Sequence, residues 1–401
     1  MIFRSLQHRN YRLFFGGQGI SLIGTWMQRV AVSWLVYRLT RSALLLGVVG
    51  FAGQIPTALI APVAGVVADR YNRHRMLVIT QTLLLLQATA LWLLVISEVV
   101  AIWQVIVLAV FMGIVNAVDM PVRQSFVVEM IEDRADLGNA IALNSTMVNI
   151  ARLIGPSLAG IIVAARGEGT CFLINAISFI AVIASLLAMR IKIVKRDATG
   201  ANVLDGLKEG FAYSFRSVPI RSIILLLGLV SLMGMPYMVL MPIFAADILH
   251  GGPHTLGFLM GSAGAGALIG AIYLASRVSS HGLERVIPMA ATTFGVGLMA
   301  FGLSRYFLLS VAFLVVAGLG MMVQMASSNT VLQTIVEDDK RARVMSFYTV
   351  AFMGMAPFGN LLAGTLAAAI GAPITMVICG ATCVLGALLY ARKLQVIEQS
   401  V

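Results

Sequence analysis

Charge is what this chain has least of. Asp, Glu, Lys and Arg make up 11% of its 401 residues, against about 25% in a water-soluble domain, so no water-soluble fold accommodates it. Acid is scarcer than base, with 17 Asp and Glu against 28 Lys and Arg. The excess does not form a basic domain; it sits in short loops between apolar runs, which argues against a nucleic-acid partner. The three cysteines, Cys171, Cys379 and Cys383, all fall inside apolar segments, so neither a disulfide framework nor a metal site is expected. No nucleotide-binding loop, nucleophile elbow or His/Cys/Asp cluster occurs, so an enzyme is not expected and no cofactor is implied. A cleavable leader is not expected either. Met1 to Arg12 is polar and basic, and the apolar run behind it is too long for the core of a signal peptide.

What is present is hydrocarbon. Hydrophobic residues make up 59% of the chain, and its mean hydropathy is +0.94. Apolar runs fall at roughly 13–37, 44–68, 77–97, 101–127, 139–165, 170–190, 222–247, 256–276, 286–304, 307–335, 343–369 and 373–391. A membrane-spanning helix needs about 20 such residues, so the expectation is an all-α polytopic membrane protein with twelve transmembrane helices. The longest polar stretch, Ile191 to Arg221, separates two six-helix bundles, residues 1–190 and 222–401. Within that linker, Leu204–Phe215 has the pattern of a short amphipathic surface helix.

With the N-terminus placed in the cytoplasm, 21 of the 28 Lys and Arg fall on that side and 4 on the other. Basic loops stay inside, so both termini are expected in the cytoplasm, in a bacterial-type inner membrane. The halves also repeat. Glu132-Asp133 returns as Glu337-Asp338, Gly65 as Gly270, and the run Gly155 to Gly160 as Gly359 to Gly364.

One hairpin organises the chain. Gly65 is followed one turn later by Asp69 and Arg70, and then by Asn72, Arg73, His74 and Arg75. This run resembles the signature of the major facilitator superfamily, Gly-x-x-x-Asp-(Arg/Lys)-x-Gly-Arg-(Arg/Lys). Asn72 stands where the family has Gly; Asn is the residue that best replaces Gly in a left-handed turn. Gly155-Pro156 with Gly160 is similar to a motif found mainly in that superfamily's exporters, and an ordinary kink in a packed helix is the alternative. The combination of Asn10-Tyr11-Arg12, Gln28-Arg29 through Trp34, Pro121-Val-Arg123-Gln124, and Asn144-Ser145 through Gly155-Pro156 resembles the branch that holds enterobactin-exporter-like and macrolide-efflux permeases. The resemblance implies two pseudo-symmetric bundles in the major facilitator fold, with a substrate site between the halves near mid-membrane. It also implies that the first and fourth helices of each half line the cavity.

The residues that could carry chemistry are charges within apolar runs, each of which costs about 2.5–3.5 kcal/mol on insertion scales. They are Arg29, Arg123 and Arg152 against one carboxylate, Asp119. Asp119 is the candidate proton-coupling residue, because a carboxylate's charge depends on desolvation and on a neighbouring arginine. It could instead pair with Arg123 or Arg152 simply to hold helices together. Arg29, Asn149 and Arg152, with Gln324 and Asn329 from the tenth helix, are the candidate substrate contacts. Three arginines against one carboxylate favour an anionic ligand. Gly65, Asp69, Arg70, Arg73, Arg75 and Arg123 form the candidate cytoplasmic gate, although Arg123 could also snorkel to the interface. Met233, Met235, Met238, Met241, Met321, Met322 and Met325 could adapt to greasy substrates, carry copper(I), or simply pack.

The expected function is secondary active export of a small organic molecule, a siderophore or a drug-like amphipath. The proton gradient would drive it, and the protein would act as a monomer in the lipid bilayer. Proton-coupled import and lipid or lysolipid movement are the alternatives.

Overall fold

The computed structural model describes residues 4–190, 213–277 and 282–394, with the side chains of 61–70, 339 and 342 outside the description. No strand occurs among the described residues. Among the described residues, twelve long helices follow one another. They are α1 (Arg9–Thr40), α2 (Ala43–Arg70), α3 (Arg73–Ile96), α4 (Ile102–Met130), α5 (Leu137–Arg166) and α6 (Glu168–Leu187). Then come α7 (Val218–Ile248), α8 (Pro253–Ala275), α9 (Leu283–Leu303) and α10 (Phe307–Ile335). The last two are α11, built from Asp338–Thr349, Val350–Gly354 and Met355–Ile370, and α12 (Ala372–Ala391). Eleven are long and apolar enough to cross a membrane. The twelfth, α1, carries Arg9, Arg12, Gln18, Gln28, Arg29 and Arg38 along its length. The linker residues 191–212, with most of the predicted Leu204–Phe215 helix, lie outside the described residues.

The chain divides into two compact units. One comprises Met1–Arg41, Ala52–Thr199 and Gly251–Gly261; the other comprises Ser42–Phe51, Gly200–His250 and Ser262–Val401.

In the first unit, Tyr11, Phe14, Leu77, Val122, Phe126, Val127 and Met130 form a core where α1, α3, α4 and α5 meet. The Tyr11 hydroxyl is buried there and donates to the Ala140 carbonyl at 2.8 Å. A satisfied phenol is what burial of Tyr requires. The turns are set locally. Asn72 is extended (φ −67°, ψ 110°), and its side chain accepts from the Arg75 N–H. It therefore caps the start of α3, and the left-handed turn expected from its place in the motif does not form. An Asn at this position satisfies a helix donor that no backbone group can reach.

In the second unit, aromatic pairs occupy the interior, with Tyr237 edge-on to Phe294 at 6.2 Å and Phe244 against Phe301 at 4.4 Å. Its helices approach through glycine. A Cβ on Gly266 would stand 1.9 Å from the Val315 carbonyl oxygen, and one on Gly318 would stand 2.0 Å from that of Ala263. Three of its turns are π-helical: Val230–Gly234 and Phe244–Ile248 in α7, and Val350–Gly354 in α11.

The repeat seen in the sequence has structural counterparts. Gly167, between α5 and α6, and Gly371, between α11 and α12, both have positive φ, 78° and 87°, a backbone region that glycine enters without strain. Gly155 on α5 and Gly359 on α11 both lack room for a side chain. A Cβ would lie 2.5 Å from Trp26 Cβ in the first case and 2.2 Å from the Leu232 carbonyl oxygen in the second.

Candidate functional site

Asp119 sits on α4 and is 1% exposed. Its Oδ1 accepts from the Thr80 hydroxyl at 2.7 Å and from Gln81 Nε2 at 2.8 Å, both on α3. Its Oδ2 faces Arg123 Nη2, one turn further along α4, at 3.6 Å. Adjacent residues on a helix point about 100° apart, so Thr80 and Gln81 can converge on one oxygen only from the flank of α3 that faces α4. Asp119 is therefore turned toward α3, inside its own bundle. Gln81 is itself 2% exposed, and its Oε1 has no hydrogen-bond partner.

Arg29 differs in setting. Its neighbours Met27, Gln28, Val30 and Ala31 are buried, whereas Arg29 is exposed. Exposure to lipid would leave a guanidinium in hydrocarbon at high cost, so this face of α1 is one that water reaches. The guanidinium carbon lies 4.7 Å from the centre of the Trp26 ring. Arg152, from α5, lies over the same indole at 5.8 Å. Gly155 lets α5 come this close, since any side chain there would collide with Trp26. Asn149, half-buried and one turn from Arg152, donates to the Ser145 carbonyl of its own helix at 2.9 Å.

The count of one carboxylate against three buried arginines needs correction. Arg29 is exposed, and Arg123 and Arg152 are half-buried. Among the described residues, the buried acidic groups are Asp119, Asp136, Glu168 and Glu284. The last three sit at helix ends, where apolar-run reading does not look.

Of the hairpin residues, Gly65, Asp69 and Arg70 lie at the end of α2, where side chains are outside the described residues. Arg73 is 7% exposed, and its Nη1 meets Glu129 Oε1 on α4 at 2.9 Å. Glu129 was not singled out from the sequence; a lone acid at the end of an apolar run reads as a surface group. Arg75 supplies the backbone N–H that Asn72 caps, and His74 Nε2 bonds the Leu186 carbonyl at 2.7 Å.

In the second unit Gln324 is 1% exposed and donates to Ser328 at 3.3 Å, with its Oε1 unpartnered. Asn329 is half-buried and accepts from Gln333 at 2.6 Å. Met241 and Met321 are buried, and Met233, Met235, Met238, Met322 and Met325 are half-buried.

One network had no sequence warning beyond scattered amides in apolar runs. Asn175 on α6 donates to Gln28 on α1 at 2.7 Å, Gln28 donates to Gln87 on α3 at 2.9 Å, and all three residues are buried. Amides are both donors and acceptors, so a chain of them can close on itself in hydrocarbon without net charge.

Among the described residues, eleven helices apolar enough to span a membrane and a twelfth with polar groups along its length, with a few charges held inside a bundle, have the architecture of a polytopic membrane transporter. It works in a lipid bilayer on a small-molecule substrate and is not an enzyme. The comparisons with known proteins agree. Residues 2–400 match the major facilitator family described as transmembrane secretion effectors, and the chain belongs to that family. It is 26% identical over 372 residues to the staphyloferrin A transporter of Staphylococcus aureus, covering 92% of each chain. It is 22% identical over 378 residues to macrolide efflux protein A of Streptococcus pyogenes, covering 91% of this chain and 92% of that one. A solved POT family transporter in complex with 5-aminolevulinic acid superimposes with a TM-score of 0.80 at 12% identity, over 97% of this chain and 96% of that one. That likeness concerns the fold.

Proposed function

We propose that this protein is a secondary active exporter that moves an anionic or amphipathic organic molecule out of the cytoplasm in exchange for protons, by alternating access between its two bundles. The observation that carries the reading is the Arg29–Trp26–Arg152 cluster on a water-reachable face of a membrane helix. Efflux proteins and a siderophore transporter among the relatives support export of such molecules. Arg29, Asn149, Arg152, Gln324 and Asn329 are the proposed substrate contacts. Both termini lie in the cytoplasm, the membrane is the bacterial inner membrane, and the protein acts as a monomer without nucleic acid.

Asp119 carries the exchanged proton. Its Oδ1 is occupied by two donors, which leaves Oδ2, facing Arg123 at 3.6 Å, as the oxygen to protonate. The hairpin residues Gly65, Asp69, Arg70, Arg73 and Arg75 latch the cytoplasmic side. Arg73 is anchored through Glu129, and Arg123 links the latch to the proton site.

The test is proton movement in inside-out vesicles energised to an acidic interior and challenged with siderophores, macrolides and lipophilic cations. Substrate-evoked proton release, lost in Asp119→Asn, is the expected result. Release that persists in Asp119→Asn places the proton carrier elsewhere. Substrate movement in the opposite sense identifies an importer, and a response to lysolipid alone identifies a lipid transporter.

A further inference from the structure

We propose that the second unit binds a monovalent cation of the size of sodium, between Glu284 of α9, Tyr390 of α12 and Ser222 of α7. The site shares no residue with the substrate, gate and proton groups proposed above, and it stands whether or not that reading holds.

The three residues are buried, at 7%, 3% and 7% exposure, and each has an oxygen without a hydrogen-bond partner: Glu284 Oε2, the Tyr390 hydroxyl and the Ser222 hydroxyl. Buried polar groups are nearly always satisfied, so three such oxygens at one level of a bundle call for a shared partner. Helix packing sets that level. A Cβ on Gly386 of α12 would stand 2.4 Å from Leu229 Cδ2 and 3.3 Å from Leu226 Cδ1 of α7, and one on Gly234 would stand 3.3 Å from Cys383 Sγ. The two helices therefore run antiparallel. Tyr390 is one turn beyond Gly386 and Ser222 one turn before Leu226, which brings them opposite each other. α9 meets α12 at Gly295, where a Cβ would stand 2.5 Å from the Gly380 carbonyl oxygen. Glu284 lies about three turns earlier on that same face, and its charge reaches the Tyr390 hydroxyl.

These oxygens suit a hard cation, which takes carboxylate, hydroxyl and carbonyl ligands. Pro288 supplies one more. It has no N–H, so the Glu284 carbonyl loses the helix donor it would otherwise meet. Carbonyls released from membrane helices coordinate Na⁺. One carboxylate among neutral oxygens balances a single positive charge, whereas a divalent ion would leave charge uncompensated in the bundle. A water molecule could bond the same oxygens but brings no charge to a buried carboxylate. The basic side chains at these helix ends are placed otherwise. Arg285, Arg392 and Lys393 are exposed, and Arg277 Nη1 donates to the Tyr273 hydroxyl at 3.2 Å.

The experiment is thermal unfolding of the purified full-length protein in nonionic detergent, with sodium chloride replacing choline chloride at constant pH and ionic strength. A ligand that binds only the folded chain raises Tm in a saturable way, and wild type is expected to respond so to sodium. Glu284→Gln keeps the shape and removes the charge, and should melt at the same temperature in both salts. Ser222→Ala and Tyr390→Phe should each raise the half-saturating sodium concentration by about fivefold or more. An identical wild-type Tm in the two salts overturns the inference and leaves water or a proton as the partner of these oxygens. A sodium response unchanged in Glu284→Gln overturns it as well, by placing the ion elsewhere. If Glu284→Gln fails to fold, Ser222→Ala decides by its shift in half-saturation. Neither substrate nor gradient enters the measurement, so a negative result here leaves the export reading untouched, and a negative vesicle result leaves this site untouched.

Discussion

The two units solve the same problem, packing helices in hydrocarbon, with different chemistry. The first is tied by polar groups. Arg73 meets Glu129 and Arg38 meets Glu168. Asp136 is approached by Arg4 and His8, and Asp119 gathers Thr80, Gln81 and Arg123. The second is tied by shape. Backbones touch at Gly266 and Gly318, aromatic rings fill the interior, and the ion pairs described there, Lys340–Glu337 and Arg341–Asp338, are local to one helix end. The Ser231 hydroxyl donates to the Phe352 carbonyl, bridging two π-helical turns. A π-turn widens the helix by one residue and leaves a carbonyl poorly placed, and the serine occupies such a carbonyl. The lesson is that the first unit adds charge pairing between helices to the close glycine contacts that both units use, as at Gly113 and Gly155, whereas the second relies on such contacts and on aromatic packing.

That contrast can be broken by substitution, with melting of the purified protein as the measure. The largest loss is expected for Arg73→Ala, which strands a partly buried Glu129 and should cost about 3–5 kcal/mol. Thr80→Val removes a hydrogen bond to the Asp119 carboxylate and should cost about 1.5–3 kcal/mol. Gly266→Ala forces a methyl into the Val315 carbonyl and should cost about 1–3 kcal/mol by overpacking. The equivalent small addition on a roomy surface of the first unit, Gly138→Ala, meets nothing within 4 Å. It should be neutral or slightly stabilising, since Ala exceeds Gly in helix propensity by about 1 kcal/mol. The smallest loss is expected for Ser231→Ala, about 0.5–1.5 kcal/mol. If Gly138→Ala destabilises as much as Gly266→Ala, or Arg73→Ala melts like wild type, the contrast is wrong.

The helices were legible because hydrocarbon must be continuous over a membrane's thickness, and the runs that show it are long. Where a charge goes within a bundle was not legible. Asp119 and Arg29 look alike in sequence, single charges in apolar runs, yet one is enclosed against α3 and the other is exposed. The difference lies in which helix packs beside each, and a one-dimensional pattern holds no trace of it. Asn72 shows a second limit. Its place in a motif pointed to a turn, whereas the first free N–H groups of α3 made it a cap. The π-helical turns had no signal of their own; only the nearby Gly234 and Gly354 hint that the helix register shifts there. Glu129 was passed over because its partner, Arg73, lies 56 residues away.

Cys171, Cys379 and Cys383 are all buried, at 0%, 2% and 0% exposure. As far as aqueous thiol reagents are concerned, the native chain is silent without engineering. A single cysteine placed at Thr25, one turn before Arg29 on α1, would be the reactive thiol on a quiet background. Its alkylation rate would then time how often that face of α1 is wetted as the transporter turns over.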